Sequence, residues 1–120
     1  MKIAIPIEKK SLKSNINDSL GRTPYLLIYS TVTKEYEILD NRAVVEQGGA
    51  GIRVAQVIAD NGVKSVITKR CGENADKFFR KSEVFVYQAK EGNAEENIAY
   101  LLDNKLALLK EYHTNFHGKK

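Results

Sequence analysis

A few short stretches of this 120-residue chain carry the residue types that do chemistry. Residues 46–52, EQGGAGI, set Gly48, Gly49, Ala50 and Gly51 where a helix is expected to begin, with Gln47 just before them. Bare backbone N–H groups at a helix N-terminus, where partial positive charge collects, can cradle an anion. The same glycines equally permit a tight entry and close packing of helix on sheet with no ligand at all. The turn is neither a dinucleotide fingerprint nor a P-loop, because Ile52 and Arg53 follow where a P-loop needs Lys and Ser or Thr.

Cys71 is the only cysteine, so an intramolecular disulfide is excluded. It follows an expected strand, precedes an expected helix and has Lys69 and Arg70 beside it. Nearby cations and a helix N-terminus lower a thiol pKa and favour the thiolate, which ligates metals. The alternative is a small semi-buried packing residue. His113 and His117 are four apart, a spacing that pairs imidazoles for a metal if the segment is helical, and otherwise leaves a solvated polar tail. Arg22, after Gly21 in a long polar stretch, adds a fixed positive charge.

The elements that must position these groups follow from periodicity and turn chemistry. KIAIPI (2–7) alternates with Ile3, Ile5 and Ile7 on one face and reads as a strand, one side of which Pro6 leaves unpaired or ends. Residues 11–24 form a loop long enough to be functional or mobile. Strands at 25–32 and 35–39 form a hairpin, and a helix over 48–62 buries Ile52, Ala55, Ile58 and Ala59, with Gly62 as its C-terminal cap. A strand at 64–68 leads to a helix burying Ala75, Phe78 and Phe79, then a strand at 84–87. Asn93 and Glu96 have the spacing of a capping box before a last helix burying Ala94, Ile98, Leu101 and Leu102, and the remainder reads as an irregular extension.

The order β-β-β-α-β-α-β-α predicts a three-layer α/β/α sandwich around a mixed five-stranded sheet. Residues 1–110 make a single domain and residues 111–120 a flexible polar tail. With a hairpin first and right-handed crossovers after it, the carboxyl ends of strands one, three, four and five share one edge. The Arg22 loop, the Gly48–Gly51 turn and the Cys71 turn all project from that edge, where open α/β sheets bind ligands.

The net charge of +4 comes from scattered Lys and Arg with no aromatic-basic stripe, so composition argues against a nucleic-acid partner. No run is long and apolar enough for a membrane span, and the opening residues lack the pattern of a signal peptide, so the cytoplasm is the default expectation.

Several segments together resemble the dinitrogenase iron–molybdenum cofactor biosynthesis family, the NifX/NafY-like proteins and the C-terminal domain of NifB-type proteins. They are MKIAIPIE at the start, LGRTPYLLIY (20–29), GGAGIRVAQVIADNGVKSVIT (48–68), CGENA (71–75) and VFVYQA (84–89), in order over nearly the whole chain. The resemblance implies a ribonuclease-H-like α/β fold and a small non-catalytic carrier of an iron–sulfur or iron–molybdenum-type cluster or its precursor. It also implies protein partners that donate or accept that cofactor. Such clusters are anionic and are approached by thiolate, imidazole, Arg and backbone N–H groups. On this reading Cys71, His113 and His117 are the metal ligands, while Arg22, Gln47 and Gly48–Gly51 hold the cofactor. Family members often carry His where Gln47 stands and Phe where Leu20 stands, and an amide is a poorer metal ligand than an imidazole.

Two other functions are open to such a fold. A nuclease would need clustered carboxylates beginning on the first strand, where Glu8 lies only at the end. A thiol enzyme would need a base beside Cys71, and His113 and His117 are the imidazoles available.

Overall fold

The computed structural model describes residues 1–43 and 51–109. Five strands form one mixed sheet: β1 (Lys2–Ile7), β2 (Tyr25–Ser30), β3 (Tyr36–Asp40), β4 (Ser65–Thr68) and β5 (Phe85–Gln88), in the spatial order β3-β2-β1-β4-β5. Among the described residues the named helices are α1 (Gly51–Asp60), α2 (Glu73–Lys81) and α3 (Ala94–Leu102), and a 3-10 turn spans Leu20–Arg22. β1 and β2 pair antiparallel, as do β2 and β3, while β1–β4 and β4–β5 are parallel. The element order and the shared carboxyl edge are those expected, and the strand order is compatible with a ribonuclease-H-like topology.

Alternation along β1 builds both cores at once. Ile3, Ile5 and Ile7 point to the face covered by α3, where they meet Leu27, Ile67, Ala94, Ile98 and Leu101. Ala4 points the other way, into a cluster with Leu26, Val54, Ile58, Val66 and Phe79 beneath α1 and α2. Where both faces of a strand are covered every position needs a small or apolar residue, which Ile3–Ile7 supply after the exposed Lys2.

Pro6 sits where the ladder can spare a donor. β1 matches β4 only at Ile3–Ser65 and Ala4–Val66. Beyond that point its border is taken by the long loop: Asn17 N–H donates to the Pro6 carbonyl at 2.9 Å and Ile7 bridges to Ile16.

That loop is closely pinned. The backbone N–H groups of Glu8 and Lys9 both donate to the buried Ser14 hydroxyl, at 3.0 and 2.9 Å, and Ile16 is 2% exposed. The carbonyls of Ser14 and Leu12 accept from Ala94 and Glu95, the first two amides of α3. The expected capping box is present, with Asn93 Oδ1 accepting from Glu96 N–H and Glu96 Oε1 from Asn93 N–H. The N-terminus of α3 therefore spends its free donors within the protein.

Each helix ends in the same way. Val63 and Gly62 donate back to Ile58 and Ala59, Val84 and Glu83 to Phe79 and Arg80, Lys105 and Asn104 to Tyr100 and Leu101. This double closure needs a left-handed residue. Gly62 (φ 74°), Glu83 (φ 59°) and Asn104 (φ 60°) supply it.

The helix faces differ in detail from the sequence expectation. α1 buries Val54, Ala55 and Ile58, leaving Ile52 38% exposed, because it turns its face toward the neighbouring α2 as well as the sheet. α3 leaves Leu102 exposed and buries Asn97, whose Oδ1 accepts from Lys90 N–H at 2.8 Å and whose Nδ2 donates to the Lys90 and Asn93 carbonyls. The segment after α3, expected to be irregular, lies antiparallel on β5: Gln88 N–H donates to Ala107, Leu109 N–H donates to Val86, and Leu108 bridges Tyr87.

Candidate functional site

β1, β3, β4 and β5 run in the same direction, so their carboxyl ends share the sheet edge at which α1 and α2 begin. The Leu20–Arg22 turn packs against α1, and Leu20, Val54, Ala55, Cys71 and Ala75 share one buried cluster. Gly51 opens α1 beside Ala75 in the first turn of α2. The fold therefore brings the Arg22 turn, Gly51 at the start of α1 and the Cys71 turn near one another. Gln47, Gly48, Gly49, Ala50, His113 and His117 lie outside the described residues.

Arg22 is exposed and closes its short turn with an N–H bond to the Ser19 carbonyl at 3.3 Å. Lys69 and Arg70 are also exposed, and Lys69 Nζ reaches Asp18 across the β1–β4 gap at 3.4 Å. α2 begins after Gly72, which has no side chain to cap the helix, so its positive end faces the same edge as these cations.

Cys71 departs from the expectation of a lowered pKa. Its two basic neighbours turn to solvent while the thiol turns inward, 1% exposed, with Sγ donating to the Gly72 carbonyl at 3.6 Å. Burial pushes the thiol up to about 12, and the Asp76 carboxylate nearby adds to the rise. Desolvation outweighs the helix end and the exposed cations because a thiolate here would lose water without gaining a partner. As placed, Cys71 is protonated and belongs to the core. Among the described residues no group of three or more His, Cys, Asp or Glu side chains could hold a metal ion.

On the α3 side of the same edge lies an open cleft of about 720 Å³, at the switch point where β1 and β4 send their connections in opposite directions. Lys13, Lys69 and Lys90 line it against Glu8, Glu91 and Glu96, so its charges balance and do not select an anion. Farther along, two cations approach the Tyr25 ring, Lys10 Nζ at 5.7 Å and Arg42 Cζ at 5.4 Å from its centre. Arg42 also grips Asp40, Nη2 to Oδ2 at 2.7 Å, and holds that carboxyl well below the usual carboxylate range.

Residue type alone did not single out Thr23 and Asn41. Both are buried, and both bond to the segment that follows Arg22. The available signal was position: a Thr within GRTP, and an Asn directly beyond a strand end.

Comparison with known proteins places these observations in a lineage. The family model described as "Dinitrogenase iron-molybdenum cofactor" matches residues 1–104. The uncharacterized protein MJ0580 of Methanocaldococcus jannaschii is 31% identical over 109 residues, covering 88% of this chain and 89% of that one. Among solved structures, the apo form of the orange protein of Desulfovibrio gigas superposes with a TM-score of 0.86 at 23% identity, covering 94% of this chain and 96% of that one. A Thermotoga protein described provisionally as NifB superposes with a TM-score of 0.81 at 27% identity, over 96% and 98% of the two chains.

Proposed function

This chain belongs to the dinitrogenase iron–molybdenum cofactor family, and from that premise we propose that it is a small non-catalytic carrier of an anionic metal–sulfur cargo. The cargo is an iron–sulfur or iron–molybdenum-type cluster or its precursor, received from one protein and passed to another. The observation that supports this most is the packing of the Arg22 turn against α1 beside the start of α2. Such an arrangement supports the reading because it brings the turn that carries Arg22 close to the first residues of two helices, at the kind of sheet edge where α/β folds bind ligands.

In this reading Arg22 offsets the cargo's charge, and the N–H groups at the starts of α1 and α2 donate hydrogen bonds to its sulfur or oxygen atoms. The Gly48–Gly51 turn, with Gln47 before it, adds backbone donors, and His113 and His117 are imidazoles available as metal ligands. Cys71 stands behind this wall, so ligation through it would require its turn to open and its thiol to lose a proton. Holding by charge rather than by thiolate suits a carrier, since the cargo can leave without breaking a metal–sulfur bond to the protein. Nuclease chemistry draws no support, for β1 carries no carboxylate.

The test uses the full chain under anaerobic conditions. Tetrathiomolybdate, a coloured molybdenum–sulfur dianion, is titrated against the protein, and iron plus sulfide are offered in parallel, with retention through gel filtration read by visible absorption and metal content. Uptake that Arg22→Ala weakens and added salt reduces supports the carrier. Wild-type protein that retains neither probe overturns it.

A further inference from the structure

The turn that presents Arg22 is tied down by two buried polar side chains, Thr23 at 0% and Asn41 at 6% exposure. Thr23 Oγ1 lies 2.9 Å from the carbonyl oxygen of Ile7, the last residue of β1, and 2.8 Å from that of Tyr25, the first of β2. Its single proton goes to one of them. Asn41, the first residue beyond β3, donates through Nδ2 to the Thr23 carbonyl at 3.0 Å. Its backbone N–H donates to the Pro24 carbonyl at 2.8 Å.

The carboxyl ends of β1 and β3 thus grip residues 23–24 from both sides, immediately after Arg22. An apolar pair of similar volume would fill this space without the desolvation cost of a hydroxyl and an amide. What the polar pair adds is direction, since hydrogen bonds weaken steeply with angle and apolar contacts do not.

Resting on the carrier reading, we infer that Thr23 and Asn41 are positioning residues, a buried latch that fixes how Arg22 is presented to an anionic metal–sulfur cargo. Neither touches the cargo; both act through the Arg22 turn.

The full chain, titrated with tetrathiomolybdate, tests this. Thr23→Val keeps the shape and removes the hydroxyl, Thr23→Ser restores the hydroxyl, and Asn41→Leu removes the amide donor. Thr23→Val and Asn41→Leu weaken binding by roughly five- to tenfold, the scale of a lost buried hydrogen bond, and Thr23→Ser binds as wild type. In an Arg22→Ala background Thr23→Val costs nothing further, because the two changes remove the same interaction. Amide exchange followed by NMR speeds up at Arg22 in Thr23→Val while the β1 amides keep their protection. Undiminished binding by Thr23→Val, or an equal loss with and without Arg22, overturns the latch. If wild-type protein takes up neither thiomolybdate nor iron and sulfide, the carrier reading falls by itself and exchange still decides the latch: unchanged protection at Arg22 in Thr23→Val rejects it. Should Asn41→Leu fail to fold, the Thr23 pair carries the test.

Discussion

Gly51 and Ala75 face each other where α1 and α2 begin, and a β-carbon built on Gly51 would lie 3.4 Å from the Cβ of Ala75. That is ordinary contact, so close packing alone does not demand a glycine there. Gly51→Ala is therefore expected to keep the fold and to gain up to about 1 kcal/mol from reduced backbone freedom in the unfolded chain. Thermal unfolding measures the first effect and tetrathiomolybdate titration the second. Weaker uptake at unchanged or higher Tm assigns Gly51 to the cargo wall; equal uptake shows that the wall does not need a glycine at this position.

The Cys71 thiol gives a pH signature. Its ordinary value of 9.0 in the unfolded chain rises to about 12 in the fold. The folded state thus keeps a proton that the unfolded state loses. Stability is whole below pH 9 and falls as pH climbs toward 12, by about 1.4 kcal/mol per pH unit from this group alone. Urea melts of wild type and Cys71→Ala between pH 8 and about 11 isolate it, the variant declining less steeply. Native Cys71 should also resist alkylation at pH 9, where denatured protein reacts freely; rapid native alkylation would contradict its burial.

Glu83 occupies a left-handed position at φ 59° that closes α2, where Gly62 does the same for α1. An L-residue with a β-carbon pays about 1 kcal/mol for that conformation. Glu83→Gly should therefore raise Tm, while Gly62→Ala, with its space open but its φ at 74°, should lower it by a comparable amount. Differential scanning calorimetry on the two variants decides both signs.

Asp40 is expected to stay ionised through the ordinary carboxylate range because Arg42 bonds its side chain and donates a backbone N–H to it. Its folded pKa is depressed, so the pairing is present above about pH 4 and is lost as pH falls through the lower folded value. Carboxyl chemical shifts followed from pH 6 downward should show no inflection for Asp40 near 4, and Arg42→Gln should restore one.

The residues of β1 made much of this architecture readable. Ile3, Ile5 and Ile7 declare one face, Pro6 declares an interrupted border, and both are found as their chemistry requires. Gly62, Asn93 and Glu96 were equally legible, because caps and turns depend on neighbours within a few residues. Cys71 was not. Lys69 and Arg70 precede it in the chain, but the buried cluster it joins, with Leu20 and Val54 remote in sequence, decides that the thiol faces inward. The loop at 11–24 reads from its length as functional or mobile, and the choice rests on distant partners: Ser14, Ile16 and Thr23 are held by β1, the residues just after it and α3. Of the site, the convergence of the Arg22 and Cys71 turns with the start of α1 followed from strand direction, and the Thr23–Asn41 bonds could be seen only in three dimensions.

The antiparallel contact of residues 107–109 with β5 leaves the sheet with two unequal borders. An uncovered strand is a template on which other chains can polymerise, and this sheet has its β5 border occupied by its own chain. Its other border, β3, is five residues long and carries Glu37 and Asp40, charges that discourage stacking of copies. Removing residues 106–109 would bare β5 as a template, next to the exposed ring of Phe85, and is expected to promote fibre growth.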